Sequence, residues 1–288
     1  MSRSRRARWG RDLGDRVSDA LRETSAEVIE PRFAALSPAD VRSKAAGELV
    51  TIADIEAEEL LTRILTGLLP GALVVGEEAC ATDPRLLDGL GAAQAWLVDP
   101  LDGTANFVEG SDDWAVMVAL CEEGRTVASW IWQPTSETMY TAEAGCGAAR
   151  NGVSLGVTPR PVDPGGLRGA VLTRFLPAGV SATIDGRRDR FGTVTSGRRC
   201  AGVDYPAVID GDQDFVLFWR TLPWDHAPGV LLLQEAGGVA LRPDASAYRP
   251  GDTRLGLLAA ADRSCWDTVS AILLPDCRPN TTTARTGD

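Results

Sequence analysis

The chain has 288 residues and carries 29 Lys and Arg against 40 Asp and Glu, a formal net charge of −11. So acidic a surface repels phosphate backbones, which excludes nucleic-acid binding through the surface as a whole. The length can bury a large core, and one compact unit of two subdomains fits it.

The one basic cluster, Arg3, Arg5, Arg6, Arg8 and Arg11, reads as a solvated tail. No long apolar stretch follows it, so neither a signal peptide nor a membrane span is expected. The six cysteines (80, 121, 146, 200, 265 and 277) show no C-x-x-C spacing. They predict buried thiols in a reduced, cytoplasmic protein. Lys44 is the only lysine, in a chain that uses arginine everywhere else.

Apolar groups at Leu13, Val17, Leu21, Val28 and Phe33 predict a helix over 11–36. Thr51-Ile-Ala-Asp54 then opens a second helix with a capping-box pattern, Asp standing in for Glu. Ile55, Leu61, Ile64, Leu65 and Leu68 supply its buried side, and Pro70-Gly71 ends it. Residues 73–75 predict a strand running into Gly76-Glu77-Glu78, and 96–98 the end of a buried strand. Asp99-Pro100 is expected to break that strand, since proline has no N–H for a ladder.

Residues 114–121, 126–132 and 138–142, separated by turns, predict an antiparallel meander with Trp130 and Trp132 in its core. Pro159 to Gly166, rich in Pro and Gly, marks a boundary. Beyond it, strand-like runs (170–173, 215–219, 239–241, 257–260) alternate with helical ones (200–209, 224–236, 264–273). This predicts an N-terminal α+β subdomain over 1–155, a C-terminal α/β subdomain over 156–275 and a polar tail over 276–288.

Asp99 and Asp102 lie three residues apart, either side of Leu101, where a turn can aim both carboxylates and the Leu101 carbonyl at one point. Gly103-Thr104 follows, where backbone N–H groups can approach an anion closely. If the aspartates merely capped a turn, two acidic groups would end a buried strand without a partner. Glu77-Glu78 and Asp225 also end or begin apolar runs. Pro228 is expected in the first helical turn after Asp225, removing a donor that an Asp225 cap would use. Four carboxylates converging would raise one another's pKa unless a cation neutralised them. Two divalent ions balance that charge, and Mg²⁺, a hard ion that takes carboxylate and phosphate oxygens, suits the set.

The stretch Asp-Pro-Leu-Asp-Gly-Thr-Ala-Asn-Phe at 99–107, with Gly-Glu-Glu upstream and Trp-Asp-His-Ala-Pro-Gly downstream, resembles the inositol monophosphatase family of magnesium-dependent, lithium-sensitive phosphatases. The resemblance runs from about Lys44 to Ala260, with 22 residues from Glu77 to Asp99 and 123 from Asp102 to Asp225. It implies a layered α-β-α-β-α sandwich, mixed α+β and α/β in class, and a homodimer. The implied reaction is Mg²⁺-dependent hydrolysis of a small phosphorylated metabolite, with two or three ions. It also implies that Glu77, Asp99 and the Leu101 carbonyl hold one metal, and Asp99, Asp102 and Asp225 a second. By the same resemblance Gly103 and Thr104 bind phosphate, Thr104 with Asp54 orients the attacking water, and Lys44 and Glu78 lie near the metals.

Where family members acting on inositol phosphates place an acidic residue seven before the final metal aspartate, this chain has Phe218. An aromatic there predicts weak polyol recognition and a less hydroxylated or stacking alcohol, with Asp204 also on the substrate side. Arg220 would meet a second anionic group, or else pair with a surface carboxylate. His226, the only histidine, is expected to be structural. Alternatives on the same site are histidinol-phosphate, sugar bisphosphate or nucleotide 3′-phosphate hydrolysis. A regulator that binds metal or phosphate without turnover is the alternative outside enzymes.

Overall fold

A computed structural model describes residues 10–44, 48–91, 93–158 and 163–277. Arg3, Arg5, Arg6 and Arg8, residues 159–162 of the boundary stretch and all but the start of the 276–288 tail lie outside the described residues.

The chain opens with α1 (Gly10–Thr24), which passes into a π-helical turn (Ser25–Ile29) and a short 3₁₀ turn (Glu30–Arg32). The single helix expected over 11–36 is thus cut short, because Pro31 has no N–H for the carbonyl of Glu27. Leu13, Val28 and Phe33 still pack on the same core. A small antiparallel pair follows, β1 (Val41–Ser43) and β2 (Leu49–Thr51). Next comes α2 (Ile52–Leu68), opened by the expected capping box between Thr51 and Asp54.

Seven strands and two short helices follow in order: β3 (Leu73–Gly76), α3 (Glu77–Thr82), β4 (Ala95–Asp102), α4 (Thr104–Glu109), β5 (Ala115–Glu122), β6 (Arg125–Gln133), β7 (Thr138–Glu143), β8 (Gly147–Arg150) and β9 (Val153–Leu155). They form one sheet in sequence order, with β3 and β4 parallel and the rest antiparallel, so the expected meander is its centre. The second half contributes β10 (Arg168–Val171), α5 (Ala178–Asp185), β11 (Thr193–Thr195), α6 (Ala201–Ile209), β12 (Phe215–Phe218), α7 (Pro223–Glu235), β13 (Val239–Leu241), β14 (Leu257–Ala260) and α8 (Arg263–Leu273). Its five strands lie in the order β11-β10-β12-β14-β13.

Strand alternation then sets the layers, since successive side chains face opposite sides of a sheet. On β5, Val116, Val118 and Leu120 join α1 and α2 in an outer core, with Trp96, Trp130 and Trp132. Ala115, Met117, Ala119 and Cys121 face the other way, onto α6 and α7. Those two helices are covered from beyond by Val216, Phe218, Leu257 and Ala259 of the five-stranded sheet. Phe215, Leu217, Leu258 and Ala260 point outward onto α8, around Trp266. The order is helix, sheet, helix, sheet, helix. Helices α6 and α7 are buried on both sides, which is why 230–233 reads Val-Leu-Leu-Leu without a polar face.

Candidate active site

Because β3 and β4 are parallel neighbours with Gly76 opposite Val98, the residues that follow, Glu77 and Asp99, emerge side by side. Strand β4 does not break at Asp99-Pro100 as expected. It continues to Asp102, with a shift in register against β5 between those aspartates. Proline cannot supply a ladder N–H, and the bulge absorbs it. Leu101 donates its N–H to Asp99 Oδ1 at 3.1 Å, fixing one carboxylate oxygen. From the opposite layer, the first turn of α7 delivers Asp225. That helix begins at Pro223, so Pro228 lies inside it and not in its first turn, and the Trp224 carbonyl loses its helical partner. Carboxylate oxygens of Glu77, Asp99 and Asp225 come within 4.8 Å of one another.

Asp102 stands apart from these three. Its Oδ2 accepts the Gly202 N–H at 2.6 Å and the Cys200 thiol at 3.1 Å, yet it lines the same cleft. Burial, then the neighbouring charge of Glu77, holds Asp99 and Asp225 well above the usual carboxylate range. Burial likewise raises Asp102 to about 6, against the pull of the Gly202 bond. Lys44 reaches in from beyond β1, with Nζ 3.0 Å from Glu77 Oε1 and 2.5 Å from Glu78 Oε1. Burial alone would lower its pKa, but the two glutamates outweigh that and raise it.

Thr104 and Asp54 meet at the floor. Asp54 Oδ2 is used by the capping box, accepting the Thr51 N–H and hydroxyl at 2.8 and 2.6 Å. Its Oδ1 lies 3.0 Å from Thr104 Oγ1, which is also 3.0 Å from the Leu101 carbonyl. Burial raises Asp54 to about 6. Gly103 precedes α4 with φ +87°, and a Cβ there would sit 2.8 Å from the Asp113 carbonyl, so only glycine fits.

Glu58 escaped the reading from sequence. Its carboxylate accepts the N–H groups of Glu78 and Ala79 at 2.7 and 2.8 Å, capping α3 and fixing the Gly76-Glu77-Glu78 corner. The available signal was two acids, Asp54 and Glu58, set four apart in the apolar stripe of α2.

The cleft above this floor has a volume of about 300 Å³. Phe218 forms part of its wall but is only 3 % exposed, stacked on Tyr205 at 5.0 Å and against His226 at 4.7 Å. It therefore has no free face for a substrate ring. Asp204, expected on the substrate side, is completely buried instead. It accepts the Arg198 N–H at 3.1 Å and pins the loop before α6. Arg220 lines the cleft, pairs with Glu48 and lies over Phe175, with Cζ 4.3 Å from the ring centre. Phe175, Arg174 and Arg199 line the mouth too and had no recognisable pattern in the sequence.

His226 Nε2 lies 3.1 Å from the Arg220 carbonyl, which can only accept, so that nitrogen carries the proton. Nδ1 then accepts the Tyr205 hydroxyl at 3.0 Å. Burial drops its pKa to about 3 and keeps the ring neutral. Both nitrogens are occupied in holding the β12–α7 corner, the structural part expected of it.

A family model described as the inositol monophosphatase family matches residues 15–272. An inositol-1-monophosphatase of Mesorhizobium japonicum is 34 % identical over 220 residues, 72 % of this chain and 76 % of that protein. The Nus factor SuhB of Pseudomonas aeruginosa is 33 % identical over 224 residues, 75 % of this chain and 80 % of its own. Among solved structures, an IMPase of Thermotoga maritima superposes with a TM-score of 0.77 at 22 % identity, covering 92 % of this chain and 98 % of that one. No described helix is long and apolar enough to cross a membrane.

Proposed function

Since the chain belongs to the inositol monophosphatase family, we propose that it is a magnesium-dependent hydrolase of small phosphate monoesters. The observation that carries this reading is the meeting of Glu77, Asp99 and Asp225 within 4.8 Å at the base of the cleft. The donors are all oxygen, they are largely buried, and Lys44 on Glu77 and the charge of Arg220 near Asp225 offset only part of their mutual repulsion. That donor chemistry fits a hard divalent cation. Glu77, Asp99, Asp225 and the Leu101 carbonyl would hold it, and Asp102 would contribute to a second. Magnesium there supplies Lewis-acid polarisation of a phosphate oxygen and makes a water more acidic.

The chain's own groups do the rest. Thr104 has a single hydroxyl proton, and Asp54 Oδ1 is placed to accept it, which leaves the Thr104 oxygen lone pairs to orient a water. The first-turn N–H groups of α4, beginning at Gly103-Thr104, lack helical partners and face an anion favourably. A phosphate bound there would lie between backbone donors and the carboxylate floor. His226, held neutral with both nitrogens bonded, exchanges no proton with substrate.

Phosphate release from a panel of phosphorylated metabolites tests this, with Mg²⁺ and with EDTA. Turnover is expected with Mg²⁺ alone. Asp99→Asn should lower it by more than about 100-fold, beyond the 10–100-fold typical of a supporting residue. Near wild-type activity in that variant at saturating Mg²⁺ would overturn the assignment.

A further inference from the structure

Cys200 stands where two layers of the molecule meet at the site. It immediately precedes α6, and its carbonyl accepts the Val203 and Asp204 N–H groups at 3.2 and 2.9 Å. This is an N-cap position, where Ser, Thr, Asp and Asn prevail because their side-chain oxygens accept an N–H of the first turn. Sulfur is a weak acceptor, and the Cys200 side chain makes no capping bond. The thiol turns to β4 instead. Its Sγ lies 3.1 Å from Asp102 Oδ2 and 3.5 Å from the Asp102 carbonyl. An ionised carboxylate only accepts, so the S–H donates.

Capping of α6 passes to Asp102, whose Oδ2 also accepts the first-turn N–H of Gly202 at 2.6 Å. One main-chain donor and one side-chain donor thus converge on a single carboxylate oxygen and fix how the group is turned. The thiol has little room to swing away. A Cβ on Gly103 would lie 3.2 Å from Cys200 Cβ and 3.4 Å from its Sγ, so the sulfur packs against the turn that opens α4. The backbone leading to it is pinned as well. Asp204 accepts the Arg198 N–H at 3.1 Å, and the Arg198 carbonyl accepts from Asn106 Nδ2 at 2.7 Å. Cys200 is only 1 % exposed, yet of the six cysteines it alone lines the cleft, beside Asp99, Asp102 and Asp225. Alanine or valine would serve a purely packed position, and what both lack is the directed S–H.

We propose that Cys200 is a positioning residue for Asp102, its thiol and the Gly202 N–H together holding that carboxylate in the orientation that receives a second cation. The inference deepens the phosphatase reading and rests on its carboxylate floor. Partners of this kind set the affinity of a metal site by fixing its ligands before the ion arrives. Cys200 touches no reacting atom and acts through Asp102 alone, so its effect belongs in cation affinity and not in the chemical step.

Calorimetric titration of the metal-free protein with Mg²⁺, without substrate, tests this on the wild type and on Cys200→Ser, Cys200→Ala and Cys200→Val. Serine keeps a donor, and its oxygen can accept from the helix while its proton goes to Asp102. Its Kd should stay within about threefold of the wild type. Alanine and valine have no donor and should raise the Kd by about tenfold, the low end for partners that orient a ligand, because S–H is a weak donor. A packing role predicts the reverse order, with apolar valine the best replacement and serine the worst. Phosphate release against Mg²⁺ concentration should show the donor order in the Mg²⁺ requirement, with kcat at saturating Mg²⁺ changed by less than about threefold. If valine prevents folding, serine against alanine carries the comparison. Equal Mg²⁺ affinity in every folded variant, or valine binding as tightly as serine, overturns the inference. That result alongside phosphate release leaves the phosphatase standing. Mg²⁺ binding in the donor order without phosphate release sinks the phosphatase and keeps the role of Cys200, and a wild type that takes up no Mg²⁺ overturns both.

Discussion

Gly202 donates its N–H to Asp102 Oδ2 over 2.6 Å, tying the first turn of α6 to the end of β4 across 100 residues of chain. The bond requires close approach. A Cβ on Gly202 would lie 2.6 Å from the Ala115 Cβ and 3.1 Å from Met117 Sδ, both rooted in β5. Gly202→Ala must therefore push α6 off the sheet and loosen Asp102. Overpacking of this kind costs about 1–3 kcal/mol. The expected outcome is a lower melting temperature together with a raised Mg²⁺ requirement for turnover. A variant with unchanged Mg²⁺ dependence would show that Asp102 is not held for a metal.

Thr104 has one hydroxyl proton and two acceptors at 3.0 Å, Asp54 Oδ1 and the Leu101 carbonyl. Thr104→Ala should reduce kcat by about 100-fold or more, in the range of proton-handling groups, while the fold persists. Thr104→Ser keeps the hydroxyl and should stay within about tenfold of the wild type. Stopped-time phosphate assays at saturating Mg²⁺ read both. Equal losses in Ser and Ala would mean that the methyl group, and so packing, is what matters.

What could be read from the chain beforehand divides along sequence distance. The meander and the buried helices announced themselves through local alternation and apolar runs, and the capping box of Thr51 and Asp54 through a three-residue spacing. The gathering of Glu77, Asp99 and Asp225 was also legible, because each sits where an apolar run ends. Other features depend on contacts that no local pattern encodes. Glu58 caps α3 from 20 residues away, and Asp204 is buried because its loop folds back upon it. Phe218 looked like a substrate wall from its offset to Asp225, yet Tyr205 covers its face. Strand β4 outlasting Pro100 shows a local rule, that proline ends strands, yielding to a bulge that the neighbouring β5 accommodates.

Proton and cation should compete for the same carboxylates. In the metal-free protein burial raises Asp54 and Asp102 to about 6, and Asp99 and Asp225 further above their usual range. Groups raised on folding contribute stability that is whole below the unfolded value, near 4, and lost as pH rises through the folded values. The melting temperature in EDTA should thus fall from about pH 5 to pH 8, through loss of those protons. Mg²⁺ binds the deprotonated set, so its stabilisation should grow over the same window. Thermal melts with and without Mg²⁺ across that range measure both slopes. A Mg²⁺ shift of equal size at pH 5 and pH 8 would argue against binding at these carboxylates.

Asp204 offers a separate pH signature away from the metal ligands' own positions. Burial is the largest influence on it and lifts its pKa to about 7, opposed by the Arg198 N–H that it accepts. Its stabilising contribution is therefore complete below about pH 4 and disappears as pH rises through about 7. A tenfold change in proton affinity is worth about 1.4 kcal/mol, so ionising this buried group withdraws at most roughly 4 kcal/mol. Asparagine retains an oxygen for the Arg198 N–H and cannot ionise. Asp204→Asn should match the wild type near pH 4 and exceed it in stability at pH 8, with a flatter profile between. Urea unfolding in EDTA at a series of pH values supplies the comparison. Parallel pH profiles for the two proteins would mean that Asp204 is already ionised and its burial compensated.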